Sequence, residues 1–190
     1  MEKKKTDRRI KYTRMVIKDS FIALLKTKPI AKITIKEICE NADINRATFY
    51  AHYQDQYHLL TQIENDVICD VREYLSEDSS IAPDNPGTVR MLTRIFSYIR
   101  TNAEICRVLL SDNVDANFQK LLMELVQQQF VPEWAQDKAL SAEDAEYIYT
   151  FVFIGCVGII KKWLDSGMSK TDSQMAQLIL KLSNRGISEF

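Results

Sequence analysis

Glycine and proline are scarce in this chain, five and four among 190 residues. Folds made of many short strands need these residues at their turns, and strand-like alternation is missing as well, so a β-sandwich or barrel is excluded. Histidine is scarcer still. His52 and His58 have no metal-ligand partner at helical spacing, and there is no HExxH, no glycine-rich phosphate loop and no serine or cysteine nucleophile motif. Nothing in the sequence supports catalysis. The four cysteines, Cys39, Cys69, Cys106 and Cys156, lie at least 30 residues apart, too far for a closely spaced chelating pair. Each falls within an apolar helical pattern, so buried, reduced thiols are expected, and neither a metal nor a cofactor is expected. Long hydrophobic runs are absent: Phe151 to Ile160 ends at Lys161 and Lys162, well short of the roughly 20 residues that cross a bilayer. The basic start "MEKKKTDRRIKYTR" leads into an amphipathic segment rather than an apolar signal core. The expectation is a cytoplasmic protein with no membrane partner.

What is present is an ordinary apolar content of 46% and a charged content of 27%, distributed unevenly. Met1 to His58 holds 13 Lys and Arg against 7 Asp and Glu, and the other 132 residues hold 12 against 19. The net charge of -1 therefore hides a basic end and an acidic remainder, a split that suits a first part meeting a polyanion.

Nearly every segment repeats with the helical period, which predicts an all-α protein of about nine helices. The first is expected from about Asp7 to Lys28, with Ile10, Met15, Ile17, Phe21, Leu24 and Leu25 on its apolar side and Pro29 as its stop. "TIKE" opens the second, where Thr34 caps and Glu37 reaches back. Asn45 caps a third, and Asp55 caps a long fourth. The loop-like "SEDSSIAPDNPG", Ser76 to Gly87, follows. Later helices are expected at about Val89 to Thr101, Ala103 to Leu110, Asp115 to Phe130, Ser141 to Ser166 and Thr171 to Asn184, with Pro132 and Gly167 as stops. Ser141 with Asp144, and Thr171 with Gln174, have the spacing of helix-start caps.

The stretch "TIKEICENADINRATFYAHYQDQ" holds two short helical patterns across a tight turn, the proportions of a helix-turn-helix whose second helix enters the DNA major groove. On a helical wheel Phe49 and Tyr53 share one side, one turn apart, and face the core. Arg46 and Tyr50 flank them on one side, Thr48 and His52 on the other, and Ala47 and Ala51 lie opposite. Small residues at the centre of an outer face let a helix approach the groove, while flanking donors reach phosphates and base edges. The competing reading places both tyrosines in the core.

The sequence "ITIKEICENADINRATFYAHYQDQYHLL" resembles the TetR family of bacterial transcription regulators over about the first 60 residues. The resemblance implies that Thr34 meets phosphate and Lys36 a base edge, that Asn45, Arg46, Ala47, Thr48 and Tyr50 supply recognition-helix contacts, and that His52 turns toward the DNA backbone. Two positions depart from the family pattern: Asp43 stands where the turn usually carries glycine, and Gln56 where lysine is common. Asp visits the left-handed region more readily than most residues, and Gln56 at a helix start still donates to phosphate without the ionic contact. The basic Lys3 to Lys5 with Arg8 and Arg9 is expected to track the DNA backbone.

In the acidic remainder, "YIYTFVFIGCVGIIKKWLDSGM" is apolar almost all round, so two sides of that helix must be covered. Gly155 and Gly158 thin it for a close partner, and a twofold helical bundle with the last helix is the expectation. TetR-like proteins dimerise through their last two helices, and "GIIKKWLDSGM" also resembles regulators akin to the dihydroxyacetone kinase operon activator. The expected interface takes Phe151, Gly155, Gly158, Ile159 and Lys162 from the penultimate helix and Met175, Leu178 and Leu182 from the last. The family implies a ligand pocket among the middle helices, here Phe96, Ile99, Phe118, Leu122 and Trp134, whose apolar character favours a small hydrophobic effector.

The resulting expectation is an all-α homodimer with a helix-turn-helix DNA-binding domain over residues 1–58 and a dimerisation and effector domain over 59–190. It would bind a palindromic DNA operator as a repressor that a small molecule releases. The alternative is a regulator, including an activator, that answers to a protein partner.

Overall fold

A computed structural model describes residues 2–76, 86–137 and 141–187, with side chains for 8–76, 86–128, 141 and 143–183. Among the described residues there are nine α-helices and no strand. They are α1 (Glu2–Leu25), α2 (Ile35–Asn41), α3 (Arg46–Tyr50), α4 (Gln56–Ser76), α5 (Pro86–Thr101), α6 (Ala103–Leu109), α7 (Asn117–Asp137), α8 (Ala142–Asp165) and α9 (Asp172–Ile187). Two compact units form: Met1–Val67 with Ser111–Ala116, and Ile68–Leu110 with Asn117–Phe190.

In the first unit Ile17, Phe21 and Leu25 of α1, Ile38 of α2, Phe49 of α3 and Leu59 and Ile63 of α4 are fully buried. The segment from 111 to 116 joins this unit because the Ile30 N–H donates to the Asn113 carbonyl at 3.0 Å and Asn113 Nδ2 donates to the Leu25 carbonyl at 2.8 Å. In the second unit α5 lies along α9, α7 along α8, and α6 also meets α8.

The local start signals hold. Thr34 and Glu37 form a reciprocal capping box, Ser141 accepts from the Asp144 N–H at 3.0 Å, and Thr171 pairs with Gln174 in both directions. Asp55 Oδ1 accepts from the His58 N–H at 2.7 Å.

Several sequence expectations fail where tertiary context decides. α1 begins at Glu2, not Asp7, and Ile10 and Met15 are exposed: Ile10 shares the face of Ile17 and Phe21 but has no surface opposite it, and Met15, two residues from Ile17, lies off that face. α5 begins at Pro86, where a first-turn proline loses no helical hydrogen bond. Pro132 is not a stop: α7 runs through it to Asp137, so the packing of α7 along α8 outweighs the lost backbone donor and the crowding that an interior proline brings. Cys39 and Cys106 are buried as expected, but Cys69 is exposed and Cys156 half-buried. Residues 77–85 of the expected loop, and the side chains of Lys3 to Lys5, lie outside the described residues.

Candidate nucleic-acid interface

The recognition geometry begins at the turn between α2 and α3. Asp43 takes the left-handed conformation at φ 51°, the role a glycine would otherwise fill. Asn45 then starts α3: its Oδ1 accepts from the Thr48 N–H at 2.8 Å and from the Thr48 hydroxyl at 2.9 Å. The amide oxygen is so engaged, the NH2 has no part in the cap, and Asn45 is exposed at the helix start.

Phe49 and Tyr53 anchor the inner side. Phe49 is fully buried and Tyr53 is 5% exposed; their rings lie 5.7 Å apart, and Arg14 of α1 donates from Nε to the Tyr53 hydroxyl at 3.4 Å. Tyr50 is different. It is 56% exposed and meets Phe49 only edge-on, with ring centroids 5.7 Å apart. The reading that put both tyrosines in the core is therefore wrong for Tyr50 and right for Tyr53. Arg46, Ala47 and Ala51 are exposed, and Thr48 and His52 half-buried, which leaves a small-residue face edged by polar side chains.

At α2, the Glu37 carboxylate collects Lys28 Nζ at 2.5 Å, the Thr34 N–H at 2.9 Å and the Thr34 hydroxyl at 2.9 Å. The Lys28 hydrogen bond first, then the two from Thr34, holds the Glu37 carboxyl down at about 2. Both donors of Thr34 are thus turned toward Glu37, so a phosphate would have to compete for them. The Thr48 hydroxyl is committed to Asn45 in the same way. Lys36 is exposed beside Glu40, 3.6 Å away across one helical turn, a pairing worth little against a phosphate.

The turn into α4 has a feature that sequence reading missed. His58 Nδ1 accepts from the Gln54 N–H at 3.1 Å while Asp55 accepts from the His58 N–H. The imidazole thereby ties the helix start to the residue before the cap, a variant of the capping box in which the side chain three residues into the helix reaches back to Gln54 rather than to the capping Asp55, and the signal was the Asp-x-x-His spacing at a helix start. The cap fixes Gln56, half-buried as the first residue of α4, and beside it Tyr57 is exposed.

In the second unit α8 has two apolar sides. Ala145, Tyr149, Val157, Trp163 and Leu164 are buried, and the Tyr149 hydroxyl donates to the Met123 carbonyl of α7 at 2.5 Å. Opposite on the wheel, Tyr147 is 68%, Phe151 76% and Ile154 63% exposed. Gly155, Gly158 and Lys162 are exposed along the same line, and a Cβ at either glycine would meet nothing within 4 Å. Ile159 and Leu178 are half-buried and Leu182 exposed at the margin. Met175 must be removed from the expected interface: it is 2% exposed, because α9 turns it with Ala176 and Ile179 into the unit's own core.

The expected pocket residues divide differently. Phe96, Ile99 and Phe118 are buried and Leu122 half-buried, with Phe96 edge-on to Trp163 at 5.4 Å. The Trp134 side chain lies outside the described residues. Among the described residues no group of three His, Cys, Asp or Glu could hold a metal ion. One helix, Glu143–Asp165, is long and apolar enough to cross a membrane by length and composition alone. The ten-residue run considered in the sequence understated it, because flanking tyrosines and aliphatic residues extend the apolar character.

A helix-turn-helix with a buried aromatic anchor, joined to a larger helical unit, defines a two-part DNA-binding regulator. The model of the C-terminal region of TetR transcriptional regulators matches residues 89–185, just over half of the chain. The chain belongs to the TetR family of transcriptional regulators. A 61-residue stretch is 38% identical to the HTH-type transcriptional regulator YxbF of Bacillus subtilis, covering 32% of this chain and only 15% of that longer protein. A TetR transcriptional regulator from Streptococcus agalactiae has a TM-score of 0.65 at 23% identity, over 94% of this chain and 97% of the other. FadR of Bacillus subtilis, solved with stearoyl-CoA, has a TM-score of 0.66 at 14% identity, over 91% and 98%. At such identities the structural likeness shows the fold alone.

Proposed function

We propose that the protein is a homodimeric repressor of transcription in the cytoplasm, in which residues 1–58 read a palindromic DNA operator and residues 59–190 dimerise and bind a small hydrophobic effector. The observation that carries the reading is Tyr50, more than half exposed on a helix whose inner side is locked into the core by Phe49, with Tyr53 buried just past its end. A large aromatic left in water beside Arg46 and behind the small Ala47 and Ala51 suits a groove-facing surface. Asn45 and Arg46 are the direct donors in this reading, with Lys36, Thr48, Tyr50 and Ala47 along the groove. His52, Gln56 and Thr34 lie toward the backbone, Thr34 only on displacing Glu37.

The exposed stripe of α8 supports the twofold partner. Two recognition helices then sit about one turn of B-DNA apart or a multiple of it, and an effector that favours another separation lowers affinity by shifting the population. The stearoyl-CoA bound to FadR and the apolar Phe96, Ile99, Phe118 and Leu122 favour a hydrophobic effector. The rival, control by a protein partner, draws on the same stripe, and a chain that stays monomeric in sedimentation would favour it.

The test is to select DNA fragments with the purified full-length protein and sequence them. An inverted repeat should emerge, bound with steep salt dependence from released counterions. Selection that enriches no sequence, or a site without symmetry, would refute the dimeric operator reading.

A further inference from the structure

The turn between α8 and α9, residues 166–171, leaves its helix in an uncommon conformation. Gly167 has φ 80° and Met168 φ 56°, two left-handed residues in succession, the second with a side chain that disfavours that region. The exit from α8 is a Schellman closure: the Gly167 N–H donates to the Leu164 carbonyl at 3.3 Å and the Met168 N–H to the Trp163 carbonyl at 2.9 Å. Such a closure satisfies the last carbonyls of α8 but leaves the chain beyond Met168 free to take several courses.

Arg100, from the last turn of α5, selects one course. Its Nε donates to Asp172 Oδ1 at 2.7 Å, one terminal nitrogen to the Met168 carbonyl at 3.2 Å and the other to the Lys170 carbonyl at 2.8 Å. The guanidinium carbon lies 5.0 Å from the centre of the Trp163 ring, and Trp163 Nε1 donates to the same Lys170 carbonyl at 3.1 Å. One side chain thus holds the end of α8, the turn and the first residue of α9. Arg107 of α6 adds a donor to the Leu164 carbonyl at 2.9 Å, so two cations sit at the C-terminal end of α8, where the helix dipole favours them. A planar fork with fixed donors suits this task, and a lysine could satisfy only part of it.

We propose that Arg100 is a positioning residue for dimerisation. By holding the 166–171 turn it sets the angle between α8, which carries Phe151, Ile154 and the two glycines, and α9, which carries Leu178 and Leu182. This rests on the reading that these helices form the dimer interface. A self-complementary surface made from two helices closes only if their mutual angle is held, because each misplacement occurs twice across the twofold axis.

The experiment uses the full chain in a Trp134→Phe background, which leaves Trp163 as the sole tryptophan. Arg100→Met, Arg100→Lys and a core variant in α7, Leu125→Ala at a buried position, are compared by sedimentation equilibrium at a temperature where circular dichroism shows each folded. Arg100→Met should shift Trp163 emission and weaken dimerisation by about tenfold or more, since hydrogen bonds from a charged group are among the stronger ones. Arg100→Lys should fall between, and Leu125→Ala should stay as dimeric as the parent. Where Arg100→Met does not fold, Arg100→Lys is read by the same two measures. A folded arginine variant with altered Trp163 emission and unchanged dimerisation would overturn the proposal alone, and so would an equal loss in Leu125→Ala. A monomeric parent would overturn the dimer reading and this proposal with it.

Discussion

Replacing Gly158 with leucine separates the stability of one protomer from the assembly of two. Within the protomer a side chain at Gly158 meets open space, with nothing within 4 Å of its Cβ, and the position lies in the middle of α8. Glycine costs a helix interior about 0.8–1 kcal/mol relative to alanine, and leucine ranks close to alanine. The isolated protomer should therefore be unharmed or slightly more stable. In a twofold contact across Phe151, Gly155 and Gly158 the same leucine arrives from both copies. Overpacking costs about 1–3 kcal/mol per site, so two sites cost roughly 2–6 kcal/mol. At about 1.4 kcal/mol per tenfold, the low end weakens dimerisation roughly 30-fold. Sedimentation over a dilution series reads the dissociation constant. Thermal unfolding read alongside should show the variant equal to or slightly more stable than wild type when dilute and less stable when concentrated, because association stabilises only the folded state. Operator affinity should fall with dimerisation although no proposed DNA contact has changed. An unchanged dissociation constant would refute the reasoning and move the interface off this face of α8.

Three further outcomes follow from the first unit. Tyr50→Ala, at an exposed side chain, should change unfolding stability by no more than about 0.5 kcal/mol yet cost about 1–3 kcal/mol in operator binding if the ring or hydroxyl meets a base edge; band-shift titration beside a melting curve distinguishes this from a folding defect. Gln56→Lys should tighten binding to operator and random DNA alike and steepen the salt dependence by about one phosphate contact, and equal affinities at low salt would place Gln56 away from the backbone. The Glu37 carboxyl, held at about 2 against an ordinary value of about 4.3, contributes stability that is full above its unfolded value and lost as pH falls through the folded one. The melting-temperature difference between wild type and Glu37→Gln should therefore be constant near neutrality and shrink between about pH 4 and 2; a constant difference across that window would mean the carboxylate is not held by Lys28 and Thr34 in solution.

The sequence by itself determined the elements whose causes are local. A cap is an interaction between residues three apart, so Thr34 with Glu37, Asn45 with Thr48, Asp55 with His58 and Thr171 with Gln174 mark helix starts without knowledge of the fold. A helical wheel drawn over Asn45 to Tyr53 likewise turned Phe49 and Tyr53 inward and set Tyr50 at their flank, as their burial shows. Tertiary structure decided what depends on an opposing surface. Ile10 of α1 lies on the same helical face as Ile17 and Phe21 but stands in solvent, and Met175 and Leu182 share the apolar pattern of α9 but lie on opposite sides of the burial line. The Arg100 clamp joins residues up to 72 positions apart, a pairing that no local pattern announces. Burial and long-range hydrogen bonding are properties of two surfaces at once, and a sequence lists only one surface at a time.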